Sequence, residues 1–229
     1  MSNIIIDSFR FGASSPVAPS LGYGLLYNWY AATDVRGVAP SGFRVPSSSD
    51  YTTLLATFAN PSAAGISLRS DRTNPEGEPE WVAGNDGTND SGFTAFPAGN
   101  RDEVGSYAGI GTRLEAYCTD VIGPPLPRIL LIIKGAGDMT IISNVNNKAE
   151  GLSIRCVSDT EPLTTLVQDA DGNNYSWVLI GAQYWLVQSL RTTKYNNGDS
   201  IVTGLDDTAW AATTDGAWAY PNGDSSLPI

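Results

Sequence analysis

Histidine is missing from this chain of 229 residues, and its absence narrows the chemistry that the protein can perform. Without histidine there is no Ser-His-Asp or Cys-His catalysis, no histidine-ligated zinc and no histidine pH switch. Cysteine is scarce too, since the chain contains only Cys118 and Cys156. These two could form a disulfide or remain two buried thiols, and a reducing site of synthesis argues against relying on the disulfide.

Basic residues and long apolar runs are also in short supply. Lys and Arg number 13 against 24 Asp and Glu, which gives a net charge of −11 without a basic patch. We therefore expect no binding to nucleic acid. No segment approaches the ~18 apolar residues of a membrane span, so we expect none. The N-terminus lacks a basic n-region and its apolar run, residues 4–6, is too short for a signal peptide, so we expect synthesis in a cytoplasm without export by that route.

The residues that are plentiful indicate a globular chain with short strands and many turns. Apolar residues make up 41% of the sequence, while Gly (24) and Pro (14) punctuate it throughout. The first 20 residues differ from the rest, because "NIIIDSFRF" could form one strand and "GASSPVAPSLG" is a spacer. We interpret residues 1–20 as an attachment arm, and the alternative is a strand that completes the domain's own sheet. Its apolar contact residues would be Ile4, Ile5, Ile6, Phe9 and Phe11.

Secondary-structure signals are uneven along the remaining residues. The aromatic stretch 23–32 is predicted to be core, and a helix is predicted over 48–59, with Ser47 and Asp50 approximating a capping box. The sequence predicts a long-loop region over 60–127, held by apolar anchors. Those anchors are Leu68, Trp81, Phe93, Phe96 and Tyr107.

Strands dominate the second half of the prediction. An antiparallel meander is expected from strands at 128–134, 139–143 and 151–157, the first of them central and buried. A polar linker follows at 159–168. The stretch "YSWVLIGAQYWLVQSL" then predicts a hairpin that turns at Gly181-Ala182.

Four stretches carry a family resemblance. They are "YGLLYNWYAA…GFRVPSSSDYTTL", "GTNDSGFTAFPAGNR", "GLSIRCV" and "DADGNNYSWVLIGAQYWLVQSLRTTKYNNGD". They resemble the Fibrobacter succinogenes major paralogous domain, a family of extracellular modules of Bacteroidetes-type bacteria and some of their phages. The resemblance implies a C-type-lectin-like α+β fold, with a short antiparallel sheet, one or two helices and long irregular loops. That fold is shared with formylglycine-generating enzymes, which use a cysteine pair.

The order of these stretches departs from the family. There, the segment similar to "DADGNNYSWVLIGAQYWLVQSL" comes first and the "IRCV" strand comes last. We interpret residues 21–229 as one circularly permuted domain: 21–158 is the family's C-terminal part, 159–168 a linker and 169–229 its N-terminal part. The alternative is a domain swap, in which 165–229 complete a neighbouring chain.

Candidate sites are few. The acidic turn with Asn85, Asp86, Asn89 and Asp90 could bind Ca²⁺, as could Asp169, Asp171 and Asn173, although both also suit tight turns. No other cofactor is expected. Lectin-like domains bind through long loops, which implies contact residues in the regions around 100–127 and 144–150. These candidates are Tyr107, Arg113, Glu115, Tyr117, Asp120, Asn146 and Asn147.

These observations together predict a non-enzymatic phage virion protein, serving as capsid decoration, fibre or host-surface binder. Its arm would bind other virion proteins, its loops a host glycan or protein, and repetitive attachment predicts a homo-oligomer such as a trimer. One alternative is an adhesion module of a bacterial cell surface. Another is an enzyme of the formylglycine-generating type that uses Cys118 and Cys156.

Overall fold

The computed structural model describes residues 22–71, 80–82, 87–122, 126–133, 140–144 and 147–229. The predicted attachment arm, residues 1–20, and the predicted site residues Asn85, Asp86 and Asn146 lie outside this set. The described helices are α1 (Trp29–Ala32), α2 (Ser48–Leu55), α3 (Pro61–Leu68) and α4 (Asp207–Ala212), with a 3-10 helix at Pro221–Gly223. None of these has the length and apolar character needed to cross a bilayer.

Short strands make up most of the regular structure. The described strands are β1 (Leu26–Tyr27), β2 (Ala98–Arg101), β3 (Tyr107–Ile110), β4 (Arg113–Ile122), β5 (Leu126–Ile133), β6 (Thr140–Asn144), β7 (Val157–Ser158), β8 (Val167–Gln168), β9 (Asn174–Tyr175), β10 (Trp177–Ile180), β11 (Gln183–Leu186) and β12 (Trp218–Ala219). They form a five-stranded sheet β3-β2-β4-β5-β6, a three-stranded sheet β10-β11-β7, and the pairs β1-β12 and β8-β9. The chain is thus a mixed α/β protein, mostly small sheets with few helices.

The predicted capping box is present at α2, but the helix ends earlier than expected. Ser47 accepts a hydrogen bond from the backbone of Asp50, and the Asp50 carboxylate accepts one from the backbone of Ser47. Asn60-Pro61 does not merely stop a helix, because Asn60 caps a second one and Pro61 is its first residue. A proline costs nothing there, since that N–H has no partner inside a helix.

The prediction of a long-loop region over 60–127 is wrong, because α3 and strands β2, β3 and β4 lie within it. β4 is the longest described strand. Leu114, Ala116 and Cys118 face one core cluster and Tyr117, on the opposite side of the strand, faces another, so this part of β4 is buried on both faces. The turn residues that flank it hid this pattern in the sequence.

The expected meander is correct for two strands and wrong for the third. β5 lies between β4 and β6, and the buried side chains of Ile129 and Leu130 fit its central place. Residues 151–157 do not pair with β6. Instead Gly151 bridges Arg101, and Val157 in β7 pairs with β11.

The predicted hairpin is present as β10 and β11, joined by Gly181-Ala182. Gly181 has φ +63°, and a glycine at the first central position is what a two-residue II′ turn requires. Because β11 also pairs with β7, this hairpin and the end of the "IRCV" stretch belong to one sheet.

The last third of the chain packs into the same body as the first two thirds. β1 pairs with β12, and the largest core cluster contains Tyr27 and Ile154 together with Leu186 and Trp218. The two ends of the described chain also meet, since the Tyr23 N–H donates to the Pro228 carbonyl at 2.9 Å. In this structure the chain therefore closes on itself.

Arg155 ties three distant stretches together inside this body. It is fully buried, and its guanidinium lies 4.4 Å from the centre of the Phe93 ring. It donates hydrogen bonds to four backbone carbonyls, those of Phe93, Thr94, Leu186 and Val187. Burial lowers the pKa of Arg155 to about 9, because the buried guanidinium loses its hydration.

Candidate binding surface

Four of the predicted contact residues, Arg113, Glu115, Tyr117 and Asp120, lie on β4 rather than on a loop. Tyr117 is fully buried, packs edge-on against Trp29 and donates to the Glu150 carbonyl at 2.6 Å. The expectation that Tyr117 contacts a ligand is therefore wrong for this structure, because its side of the strand packs into the core cluster that contains Trp29. Glu115 is also buried, 3.5 Å from the Arg113 guanidinium, and its burial raises the pKa of that carboxyl.

The remaining predicted contacts are scattered. The Asp120 carboxylate accepts from the backbone N–H of Ser48 at 2.6 Å, so it holds the first turn of α2. Tyr107 lies beside the 3-10 helix, and the exposed Asn147 accepts from the Ala149 N–H within its own turn. At ~3.3 Å per residue along β4, Arg113 and Asp120 lie about 23 Å apart. The described members of the set do not form one site.

Described side-chain oxygens of both candidate calcium turns accept hydrogen bonds from the protein itself. In the first turn the side-chain oxygen of Asn89 accepts from the backbone N–H of Thr94, and the Asp90 carboxylate accepts from the Thr88 hydroxyl. In the second, the Asp169 carboxylate accepts four hydrogen bonds from within the turn and from nearby Tyr175.

The Asp171 carboxylate of the second turn also has partners within the protein. It accepts from the backbone and hydroxyl of Thr193 and lies 3.0 Å from the Lys194 ammonium. Throughout the described residues, no group of three or more acidic or cysteine side chains is arranged to hold a metal ion.

Cys118 and Cys156 are both free and both buried. Burial raises the pKa of each thiol above its ordinary value, because the thiolate would lose its hydration. Burial therefore favours the protonated form of both thiols.

The outer face of the β10-β11-β7 sheet carries an aromatic and apolar strip that the sequence prediction did not assign. Trp177 and Tyr184 pack edge-to-face with ring centres 5.4 Å apart. Leu179 lies directly opposite Tyr184 in the ladder and is 51% exposed. The stretch "WVLI" was the signal for this strip in the sequence. Its side chains are apolar on both faces of the strand, and a hairpin packs only one face against the core, so the other face stays exposed.

Residues 159–168, the predicted linker, run beside this strip and form an open cleft. The Trp177 indole N–H donates to the Thr164 carbonyl at 2.8 Å, which brings the fully exposed Leu163 close to the strip. The cleft has a volume of about 720 Å³ and lies between residues 41–43, residues 158–168 and Asn174. We call this cleft, together with Trp177, Leu179 and Tyr184, the linker face.

The chemistry of the linker face suits noncovalent binding. Its hydroxyls, the carboxylate of Glu161 and the amide of Asn174 can exchange hydrogen bonds, while Phe43 and Leu163 offer apolar contact. Mixed linings of this kind fit an extended ligand such as a peptide or a glycan chain.

A polar network fixes the start of the linker to the domain. Arg44 donates two hydrogen bonds to Asp50, at 2.6 and 2.8 Å, and one to Asp159 at 2.7 Å. Burial of Asp50 favours its neutral form, but the hydrogen bonds from Arg44 and Ser47 outweigh this and lower the pKa of Asp50 to about 2. The linker therefore leaves the body from a fixed point.

Comparison with known families identifies one match. The sequence profile described as Fibrobacter succinogenes major domain matches residues 17–158, well over half of the chain. No curated protein and no solved structure matches. The match ends at Ser158, the last residue of β7, although core-forming residues such as Trp185 and Trp218 come later in the chain.

Proposed function

The chain belongs to the Fibrobacter succinogenes major domain family, and from this premise we propose that it is a non-enzymatic virion protein that displays a lectin-like binding domain on an N-terminal arm. The observation that carries the proposal is the meeting of the described ends, where the Tyr23 N–H bonds to the Pro228 carbonyl. Because the described ends meet, an arm that precedes them would extend from one end of the body.

The proposed fold is a C-type-lectin-like domain in circularly permuted order. The family match stops at residue 158, yet residues 167–229 contribute strands β8 to β12 and part of the core. Such a segment supplies what the family places at its start, and residues 159–168 join the former ends. Permutation of this kind is tolerated where termini lie close together.

The proposed location is a phage particle. The resemblance places members of this family in phages as well as in bacteria, and the acidic, histidine-free composition suits a soluble display module. The arm would bind another virion subunit, and repeated attachment would produce a homo-oligomer such as a trimer. The alternative location is a bacterial cell surface.

Particle purification with an arm deletion tests the attachment. Full-length chain and a chain lacking residues 2–20 would be expressed during particle production, and purified particles would be examined by mass spectrometry. The full-length chain should co-purify with particles, while the truncated chain stays unbound and gives the circular dichroism of a folded body. Co-purification of both or of neither chain would contradict the role of the arm, and recovery in the cell envelope would support the alternative.

Cell sedimentation tests adhesion through the linker face. The body without its arm should bind host cells, and Leu163→Asp should weaken that binding by about tenfold, because it places a charge in the contact. Val35→Asp is the matched control, since Val35 is as exposed as Leu163 but lies outside the linker face. Equal weakening by both variants, or by neither, would exclude this surface.

A further inference from the structure

Strand β10 has an open edge. The Gly181-Ala182 turn makes Ile180 and Gln183 the first hydrogen-bonded pair of the hairpin, and bonded and non-bonded pairs alternate from there. The backbone groups of Trp177 and Leu179 consequently point away from β11. Among the described residues, no hydrogen bond reaches these outward groups.

The opposite edge of the same sheet is closed. Arg44 lies beside Val157 in β7, and the two exchange backbone hydrogen bonds of 2.9 and 3.0 Å. In the part of the chain that the structure describes, β10 has no such neighbour on its outer edge. It also carries none of the usual protections, because Trp177–Ile180 contains neither a charge, a proline nor a bulge. An apolar, unprotected edge is a template for another strand.

We propose that residues 3–11 of a second copy of this chain add to β10 as a fourth strand. This inference rests on the proposed function, in that it names the subunit that the arm contacts. The stretch "NIIIDSFRF" is long enough to cover the four residues of β10. Ile4 and Ile6 would lie on one face of the added strand, and Ile5 and Phe9 on the other. Strand addition of this kind draws its affinity from the backbone ladder and its specificity from alternate side chains.

The position of the arm fits this pairing. Arg191 donates to the Ile229 carbonyl and to the Asn174 carbonyl, each at 3.4 Å. Gly22, the first described residue after the arm, lies against Ile229, and Asn174 is three residues before β10. The base of the arm and the start of β10 therefore share one end of the domain, and a ten-residue spacer reaches up to ~33 Å beyond it.

Each chain would then supply one donor strand and one acceptor edge. Such a contact is heterologous, since different surfaces meet, and it closes into a ring when the rotation between copies allows. A trimer is one such ring.

A mixing experiment tests the pairing directly. The acceptor-only chain lacks residues 2–20, and the donor-only chain carries Leu179→Pro. Proline removes an N–H that points away from β11, so the hairpin keeps its own hydrogen bonds. Each chain alone should be monomeric by light scattering, and an equimolar mixture should give a 1:1 complex. Leu179→Lys is a second edge-blocking variant that keeps the backbone N–H and would replace the proline variant if that one misfolds.

The matched control is the acceptor-only chain that also carries Leu179→Pro, which should give no complex. Absence of the 1:1 complex, or its persistence with the control, would overturn the inference. A monomeric full-length chain whose Leu179 amide is protected from exchange only when its own arm is present would overturn it as well. The mixing experiment tests only the pairing between copies. Attachment to the particle is tested by the purification experiment, so failure of one does not decide the other.

Discussion

At the scale of single residues, the contacts of Arg155 explain why the "IRCV" stretch contains an arginine. The Arg155 guanidinium bonds four carbonyls from two distant segments, at residues 93–94 and 186–187. A lysine has one ammonium and no planar fork, so it cannot reproduce this arrangement. The role of Arg155 was not predictable from the sequence, because its partners are backbone groups more than 30 residues away and leave no side-chain signature.

Removal of this guanidinium should be costly. Arg155→Met keeps much of the volume but leaves four buried carbonyls without their donor, and we expect a loss of about 3–5 kcal/mol in the free energy of unfolding. Urea denaturation measures this. The control Arg36→Met removes an exposed arginine that pairs with Asp34 and Asp199, and should change the free energy of unfolding far less than Arg155→Met does. Equal losses for both variants would contradict the assigned role of Arg155.

Acid should weaken the network at Asp50. The pKa of Asp50 is about 2 in the fold, below its ordinary value of 3.8, so its stabilising contribution is present above pH ~4 and is lost as the pH falls towards 2. Because the Arg44 side chain is partly exposed, we expect this contribution to be about 1–2 kcal/mol. Asp50→Asn should be less stable at pH 7, and its deficit should vanish near pH 2.

Asp159→Asn is the control for this prediction. Asp159 contacts the same arginine but its side chain is 62% exposed, so its removal should change stability little at any pH. Unfolding curves collected from pH 7 to pH 2 for the three proteins would show the difference. A deficit of Asp50→Asn that stays constant with pH would contradict the lowered pKa.

At the scale of elements, helix caps and turn glycines predicted the helices and hairpins that depend on neighbouring residues. Ser47 and Asp50 marked the start of α2, and Gly181 marked the turn of the β10-β11 hairpin. α3 was missed because Asn60-Pro61 both ends one helix and starts another. Strand 151–157 was placed next to β6 because it follows in sequence, whereas a pairing with β11 is decided by tertiary contacts.

The candidate site was less predictable than the fold. The turn-rich composition of residues 100–127 predicted a binding loop, but these residues include β4, in which Tyr117 and Glu115 are buried. The linker face depends on how residues 159–168 lie beside Trp177, and that contact is made to a backbone carbonyl. Composition and periodicity carry no information about such a contact.

Asn28 links the short helix α1 to a segment near the other end of the sequence. Asn28 is fully buried, caps α1 by accepting from Ala31, and also accepts from the backbone of Ala217 at 2.9 Å. Asn28→Ala should cost about 2–4 kcal/mol, because it removes the cap and leaves buried backbone groups unpaired. Hydrogen exchange at the Ala217 amide should accelerate.

Asn60→Ala supplies the comparison at the level of elements. Asn60 caps α3 through one exposed hydrogen bond, so its loss should cost only about 1 kcal/mol. Denaturation of both variants in parallel measures the difference. Similar costs would mean that Asn28 acts as a cap alone and does not join the two ends of the chain.

At the scale of the whole molecule, one body is built from a family domain and a segment beyond the family match. Residues 22–158 and 167–229 share the core and two sheet pairings, β1 with β12 and β7 with β11. The described ends lie together, and the linker between the two parts is exposed at Leu163. The proposed permuted domain requires these features. They also indicate where the chain can be cut, at the exposed linker, and where its present ends can be joined.

Reordering the chain is the most direct test of this account. The reordered chain begins at Leu163, runs to Ile229, passes through a short Gly-Ser linker into Gly22 and ends at Pro162. It should show the same near-UV circular dichroism as residues 22–229 and unfold in one cooperative transition, with a Tm within about 5 °C. A matched chain cut between Leu130 and Leu131, inside β5, should lose that transition. If the reordered chain fails to fold cooperatively, the two parts do not form one permuted domain.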